Sequence, residues 1–211
     1  MTTIDAIPTR YAGCHFRSRL EARWAVFFDV AKIAWEYEAE GYETKYGPYL
    51  PDFWLPEINH GSYFEVKHSQ WNPRADDKCR ADFDKVLGLA ELTGHECFIA
   101  NDIPRIVETN CEHHARYSLF SLFYGDAPNG LSCTCGNCKK TWQCKNNTRF
   151  CECLDCETIM ISPLGNINPR LCGCCESTWF EYIPTDTTPR LVDAFKAARS
   201  ARFEHGESGA T

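Results

Sequence analysis

A chain of 211 residues, 44 % hydrophobic and 13 % aromatic, has material for one good core and a smaller module, and no apolar run long enough to span a bilayer. A formal charge of −7 excludes a uniformly basic coat, so any nucleic-acid contact is expected to be local. The start, Met-Thr-Thr-Ile-Asp-Ala, lacks the basic and apolar segments of a signal peptide; a reducing cytoplasm is expected, where 14 cysteines read as metal ligands rather than disulfides.

Cysteine density divides the chain into a core (1–130), a cysteine-dense module (131–183) and a C-terminal helix with its tail (184–211) that returns to the core. In "FRSRLEARWAVFFDVAKIAW", Leu20, Trp24, Phe27, Phe28 and Val30 recur at helical spacing, with Ser18 as N-cap and Glu21 in the first turn. Three β-like stretches follow, 35–38, 49–55 and 62–67; the last two are joined through Pro56 and Asn59-His60-Gly61 as a hairpin. A second helix carries Phe83, Val86, Leu87, Ala90 and Leu92 on one face and ends at Gly94, and "ECFIAN" reads as a buried strand. The order α-β-β-β-α-β predicts an α/β core with a small mixed sheet.

Within this frame, Asp52 stands between Pro51 and Phe53-Trp54-Leu55, where burial alone would not place a charge. On a strand Glu65 and Lys67 share a face while Val66 points into the core, and Asp52 on the adjoining strand can converge with them. Two carboxylates suit Mg2+ or Mn2+, and a nearby ammonium can orient water or stabilise charge on a phosphate. The alternative is a turn aspartate and a surface ion pair. Arg17 and Arg19, beside Glu21, are candidate phosphate contacts, with Arg23 on the same helix; Glu38, His68 and Gln70 read as polar strand-end groups.

Pro51-Asp52 followed by Glu65-Val66-Lys67, after a helix bearing Glu21, resembles the PD-(D/E)XK nuclease superfamily. The blocks "RSRLEARWA", "YLPDFWLP" and "EVK", with the tail "AARSARFEHGE", are most similar to its small phage-encoded nucleases. The resemblance implies a restriction-endonuclease-like core and a DNase in a host cytoplasm. It further implies Mg2+ or Mn2+ on Asp52 and Glu65, a helical ligand in Glu21, and Lys67 orienting the attacking water. It does not cover the cysteine module.

That module repeats Cys-x-Cys-x2-Cys with a period of 18, in "CTCGNC" and "CECLDC", and repeats Cys-Gly-x-Cys-x2-Thr-Trp at 135–142 and 172–179. Such knuckles place two thiolates on one tetrahedral ion. About two zinc ions are expected among Cys133, Cys135, Cys138, Cys144, Cys151, Cys153, Cys156, Cys172 and Cys175. Cys135/Cys138 can share an ion with Cys153/Cys156, or Cys153/Cys156 with Cys172/Cys175. Hairpins are expected over 139–152 and 157–171, with Lys139, Lys140, Lys145 and Arg149 as phosphate contacts and Trp142 and Trp179 either capping the ribbon cores or stacking on exposed bases. Cys14 with Cys135, Cys138 and Cys144 also resembles the layout of iron–sulfur exonucleases, a rival to zinc; otherwise Cys14, Cys79 and Cys97 are packed or unengaged thiols. Cys111, His113 and His114 read as linker residues. Thr188 caps a last helix with Pro189 in its first turn and Leu191, Val192, Phe195 and Ala198 as its apolar stripe. DNA is the expected partner, with a host or phage protein docking on the module as a further one and no membrane. A non-catalytic docking protein on the same scaffold is the rival of another class.

Overall fold

The computed structural model describes residues 6–68, 73, 76–100, 102–103, 120–121, 131–134, 141–144, 148–152, 157–163 and 188–203. It opens with a hairpin absent from the sequence reading: β1 (Thr9–Tyr11) pairs with β2 (Cys14–Phe16). Ala12 and Gly13 both have positive φ (48° and 81°), which suits the right-handed twist of a two-residue hairpin. With Ala in place of Asn or Asp, the usual sequence signal of such a turn is missing.

Helix α1 (Arg19–Val30) starts on Ser18, whose Oγ accepts from the Glu21 N–H and donates to Glu21 Oε1 at 2.7 Å. That reciprocal cap fixes the first turn. Trp24, Phe27 and Phe28 are fully buried, whereas Val30, expected on the apolar face, is exposed at the helix's last residue, off the side that Phe27 and Phe28 bury.

Strands β3 (Glu36–Tyr37), β4 (Tyr42–Thr44), β5 (Gly47–Tyr49), β6 (Phe53–Leu55) and β7 (Ser62–Val66) follow. The stretch 49–55 is therefore not one strand: Tyr49 ends a β4–β5 hairpin, and β6 begins at Phe53. Pro51 has no N–H to offer a ladder, which separates the two. Gly61 (φ 102°) closes the β6–β7 connection against Trp54, where a Cβ would lie 2.4 Å from the indole ring.

Helix α2 (Asp77–Thr93), capped by Asp76 and ended by Gly94 (φ 75°), crosses to β8 (Glu96–Ala100), and β9 (Phe120–Ser121) completes the sheet. The five strands lie in the order β3-β6-β7-β8-β9; β7–β8 is parallel and the other pairs are antiparallel. This is a mixed α/β architecture. Val86, Leu89 and Ala90 form the buried stripe of α2, while Leu92, expected on it, is exposed because its position turns away from the sheet.

Alternation along β7 and β8 gives the sheet two faces. Phe64, Val66, Phe98 and Ala100 join the core around α1, and Tyr63, Cys97 and Ile99 join a second cluster under α2. The larger core is aromatic. Trp24 meets Phe64 edge-on at 4.8 Å, and Phe27 stacks on Phe195 at 4.4 Å. Phe195 belongs to α3 (Pro189–Ser200), which Thr188 caps with Pro189 in its first turn and which buries Leu191, Ala194 and Ala198; Val192 is half-buried.

The cysteine-dense segment pairs differently from the hairpin read over 139–152. Strand β10 (Leu131–Thr134) pairs with β11 (Thr141–Cys144), and β12 (Thr148–Glu152) with β13 (Ile159–Pro163). Each strand thus pairs across a Cys-x2-Cys connection rather than across Lys145-Asn146-Asn147. The β12–β13 hairpin supplies the main core: Phe150, Ile159 and Ile161 are buried in it. Asn59, itself at φ 51°, clips the hairpin in place by donating to the Ile161 carbonyl (2.7 Å) and accepting from its N–H (3.1 Å). Arg190 of α3 does the same from the other side, reaching the Ala31 carbonyl (2.7 Å) and buried Glu152 (3.1 Å). The knuckles themselves, Cys111, His113, His114 and residues 164–171, the return of the hairpin read over 157–171, lie outside the described residues. Cys14, Cys79 and Cys97 are free thiols, the last two buried.

Phe150 has no exposed surface and touches the rings of Trp24, Phe27, Phe28 and Phe64. Phe150→Ala is expected to cost about 3–5 kcal/mol of stability for the whole core. Urea unfolding followed by tryptophan fluorescence measures it. A variant that unfolds at the wild-type midpoint would show that this hairpin is not part of the core.

Candidate functional site

The site is built at the end of the β6–β7 hairpin. Phe53 pairs with Phe64, so the next position back, Asp52, falls opposite Glu65. Two hydrogen bonds lock the pair through the main chain: Val66 N–H donates to Asp52 Oδ2 (2.8 Å), and Asp52 N–H donates to Glu65 Oε2 (3.2 Å). The Glu38 N–H holds the Asp52 carbonyl at 2.9 Å. Asp52 is 2 % exposed and Glu65 5 %, an expensive placement for two carboxylates unless they are paired or hydrogen-bonded.

The remaining oxygens meet cationic side chains. Lys67 Nζ lies 2.8 Å from Glu65 Oε1 and 3.6 Å from Asp82 Oδ2 of α2. Arg17 pairs with Asp52 Oδ1 through Nη2 and with Glu38 Oε1 through Nε at 2.8 Å. Glu21, 7 % exposed, faces the same place from the first turn of α1. Its Oε2 accepts from the Tyr37 hydroxyl (2.6 Å) and the Arg17 N–H (3.1 Å). Tyr49 brings a buried hydroxyl against Glu65, outside ordinary hydrogen-bond geometry.

The structure therefore brings together Arg17, Glu21, Asp52, Glu65 and Lys67. Arg19 stands apart from these pairs: its Nε is buried without a hydrogen-bond partner. His68 is exposed beyond β7. Gln70, Lys139, Lys140 and Lys145, and the side chain of Arg149 on β12, lie outside what is described. Three residues that sequence reasoning passed over or dismissed take part. Tyr37 holds Glu21, Glu38 holds both Arg17 and the Asp52 backbone, and Asp82 faces Lys67. Glu38 and Tyr37 flank the start of the acidic cluster in "WEYE", a signal available in sequence; Asp82 depends on how α2 docks, which no local pattern reveals.

The electrostatics follow from burial. The Asp52 carboxyl is pushed well above its ordinary value by desolvation, then by the Glu65 and Glu21 charges; the Val66 N–H and Arg17 oppose this without cancelling it. Burial is the largest single influence on the Lys67 ammonium and works against it, but the Glu65 charge and hydrogen bond, with the Asp82 and Asp52 charges, together outweigh it; its pKa is raised, so it stays charged. Burial and the neighbouring Glu65 keep Tyr49 a neutral phenol. In this state no three His, Cys, Asp or Glu side chains among the described residues form a ready-made metal cage. The donor set nevertheless fits a hard divalent cation: carboxylate oxygens only, two of them held merely by exchangeable side chains, at a place where buried negative charge is in excess.

Because folded Asp52 holds its proton more tightly than the unfolded chain does, cation-free protein should lose stability as pH rises from 3.8, the ordinary value, through the raised one. Asp52→Asn should flatten that slope and raise Tm at neutral pH, each 1 kcal/mol appearing as about 2–4 °C. Urea titrations in EDTA between about pH 4 and about pH 8 read it. Parallel pH profiles for the two proteins would refute the assignment of Asp52.

The chain matches no family model, no curated protein and no solved structure.

Proposed function

We propose that this chain is a divalent-metal-dependent nuclease of PD-(D/E)XK type that hydrolyses DNA phosphodiester bonds. One observation carries the reading. Asp52, just before β6, and Glu65, on the neighbouring β7, each have one oxygen locked by a main-chain N–H and the other paired only with a cationic side chain, with Glu21 close enough to perturb Asp52. A surface ion pair needs none of this. The mixed sheet, with β7 central and helices on both faces, supports a restriction-endonuclease-like core.

Asp52 and Glu65 would hold Mg2+ or Mn2+, with Glu21 assisting. The ion would supply Lewis-acid stabilisation of the phosphate and a more acidic water. Lys67, held beside Glu65, is placed to orient the attacking water and to donate to a phosphate oxygen. Arg17, with its side chain 55 % exposed, is the group within the cluster able to reach a substrate phosphate. Tyr37 and Ser18 keep Glu21 aimed at the site.

For the cysteine module we propose structural zinc, about two ions per chain, aiding substrate binding through Lys139, Lys140, Lys145 and Arg149. The spacing supports it, as does the strand pairing: Cys135/Cys138 and Cys153/Cys156 occupy equivalent connections, β10 to β11 and β12 to β13.

Asp52→Ala and Glu65→Ala should each abolish Mg2+- or Mn2+-dependent cutting of a panel of linear, circular, flapped and four-way DNAs. Lys67→Ala should lower kcat by about 10²-fold or more, a larger change than any in its Mn2+ affinity. Full activity in the Asp52/Glu65 double variant would end the nuclease reading. DNA binding without cutting by wild type would favour the docking protein instead.

Elemental analysis of protein purified without oxygen should find zinc near two per chain in colourless protein. Brown protein with stoichiometric iron would replace zinc by a cluster.

A further inference from the structure

The two central carboxylates are held in the same way, and the pattern has a consequence that rests on the metal-dependent reading. In each, the inner oxygen is fixed by backbone and the outer one is paired with a cation that has a second acidic partner. For Asp52 the cation is Arg17 and the second partner Glu38; for Glu65 it is Lys67 and Asp82. A divalent ion on these carboxylates needs the outer oxygens, and a guanidinium cannot share Asp52 Oδ1 with it without charge repulsion. We propose that Arg17 is a resident cation which the divalent ion displaces from Asp52, and that Glu38 is the carboxylate that retains it at the site afterwards.

The local backbone is arranged for this. Arg17 cannot leave, because its N–H is held by Glu21 Oε2; only its half-exposed guanidinium can swing. Glu38 sits in the left-handed region (φ 46°), which is unfavourable for an L-residue. In return its N–H meets the Asp52 carbonyl and its carboxylate the Arg17 Nε. Displacement would leave the guanidinium on Glu38 with its fork free, beside the ion and open to a phosphate. Cation loading and phosphate recognition are then one step: without the ion, Asp52 occupies the group that should meet DNA.

Calorimetric Mn2+ titration without DNA, on wild type, Arg17→Gln, Glu38→Gln and the double variant, tests this. Arg17→Gln should bind Mn2+ roughly tenfold more tightly, about 1.4 kcal/mol. Glu38→Gln should bind it several-fold more weakly in the wild-type background and unchanged in the Arg17→Gln background. Simple field effects would instead make the Glu38 change additive. An additive cycle, or wild-type affinity in Arg17→Gln, overturns the resident-cation role while leaving the nuclease reading in place. No Mn2+ binding by wild type and Arg17→Gln alike removes both. If Arg17→Gln does not hold its fold in EDTA, Arg17→Lys takes its place, since it keeps the charge but cannot bridge two carboxylates. It should still bind Mn2+ more tightly than wild type and still abolish the Glu38 effect.

Discussion

The reciprocal lock between Asp52 and the β7 backbone sets the geometry of everything around it. One carboxylate accepts from the N–H of Val66, and the other accepts from the N–H of Asp52 itself. Neither side chain can rotate away without leaving a buried N–H unpaired, a loss of about 1–3 kcal/mol. The consequence is rigidity where the chemistry needs it: both acids are positioned by strand register, and their outer oxygens alone remain exchangeable. Arg17 and Lys67 occupy those outer oxygens, with Glu38 and Asp82 as their second partners.

Rigidity of the register in turn depends on the aromatic core. Phe53 and Phe64 form the register pair that places Asp52 opposite Glu65, and both rings pack on Phe28 (5.3 Å each). Phe150 backs Phe28 and Phe64 from the β12–β13 hairpin. The cysteine-dense segment is thereby linked to the site by packing: whatever orders that hairpin also supports the strands that carry the acids. Asn59 and Arg190 reinforce the link with hydrogen bonds to its backbone and to Glu152.

What could be seen in the sequence was what local chemistry dictates. Ser18 and Thr188 as caps, Gly94 as a helix stop, and the apolar periodicity of the helices are short-range signals, and the structure has them. The pairing of Asp52 with Glu65 was legible because a hairpin with strand-period alternation leaves few registers. What local pattern missed depends on tertiary docking. The β1–β2 turn uses Ala-Gly, so nothing announced it. Val30 and Leu92 satisfy a helical stripe yet point beyond the sheet. The strands of the cysteine segment could be paired across Asn146-Asn147 or across the knuckles, and turn composition favoured the wrong choice. Glu38 was passed over as a surface group since its backbone conformation, which turns it toward Arg17, is unusual for glutamate.

The charge inventory of the site bears on how an acidic protein could accept the polyanionic substrate proposed for it. Glu21, Glu38, Asp52, Glu65 and Asp82 face two cations, Arg17 and Lys67, leaving an excess of three negative charges when all are ionised. Such a cluster repels a phosphate and attracts cations, in line with the net −7 of the whole chain. Raised proton affinity at Asp52 relieves part of the excess in the absence of an ion, and a divalent cation would relieve more without requiring a proton. On the proposed function, a phosphate would meet a neutralised site, with Arg17 and Lys67 still at hand, only with that charge in place. The same five acids that make the cation-free site unfit for nucleic acid would then make cation binding the condition for substrate binding, and the order of events follows from charge alone.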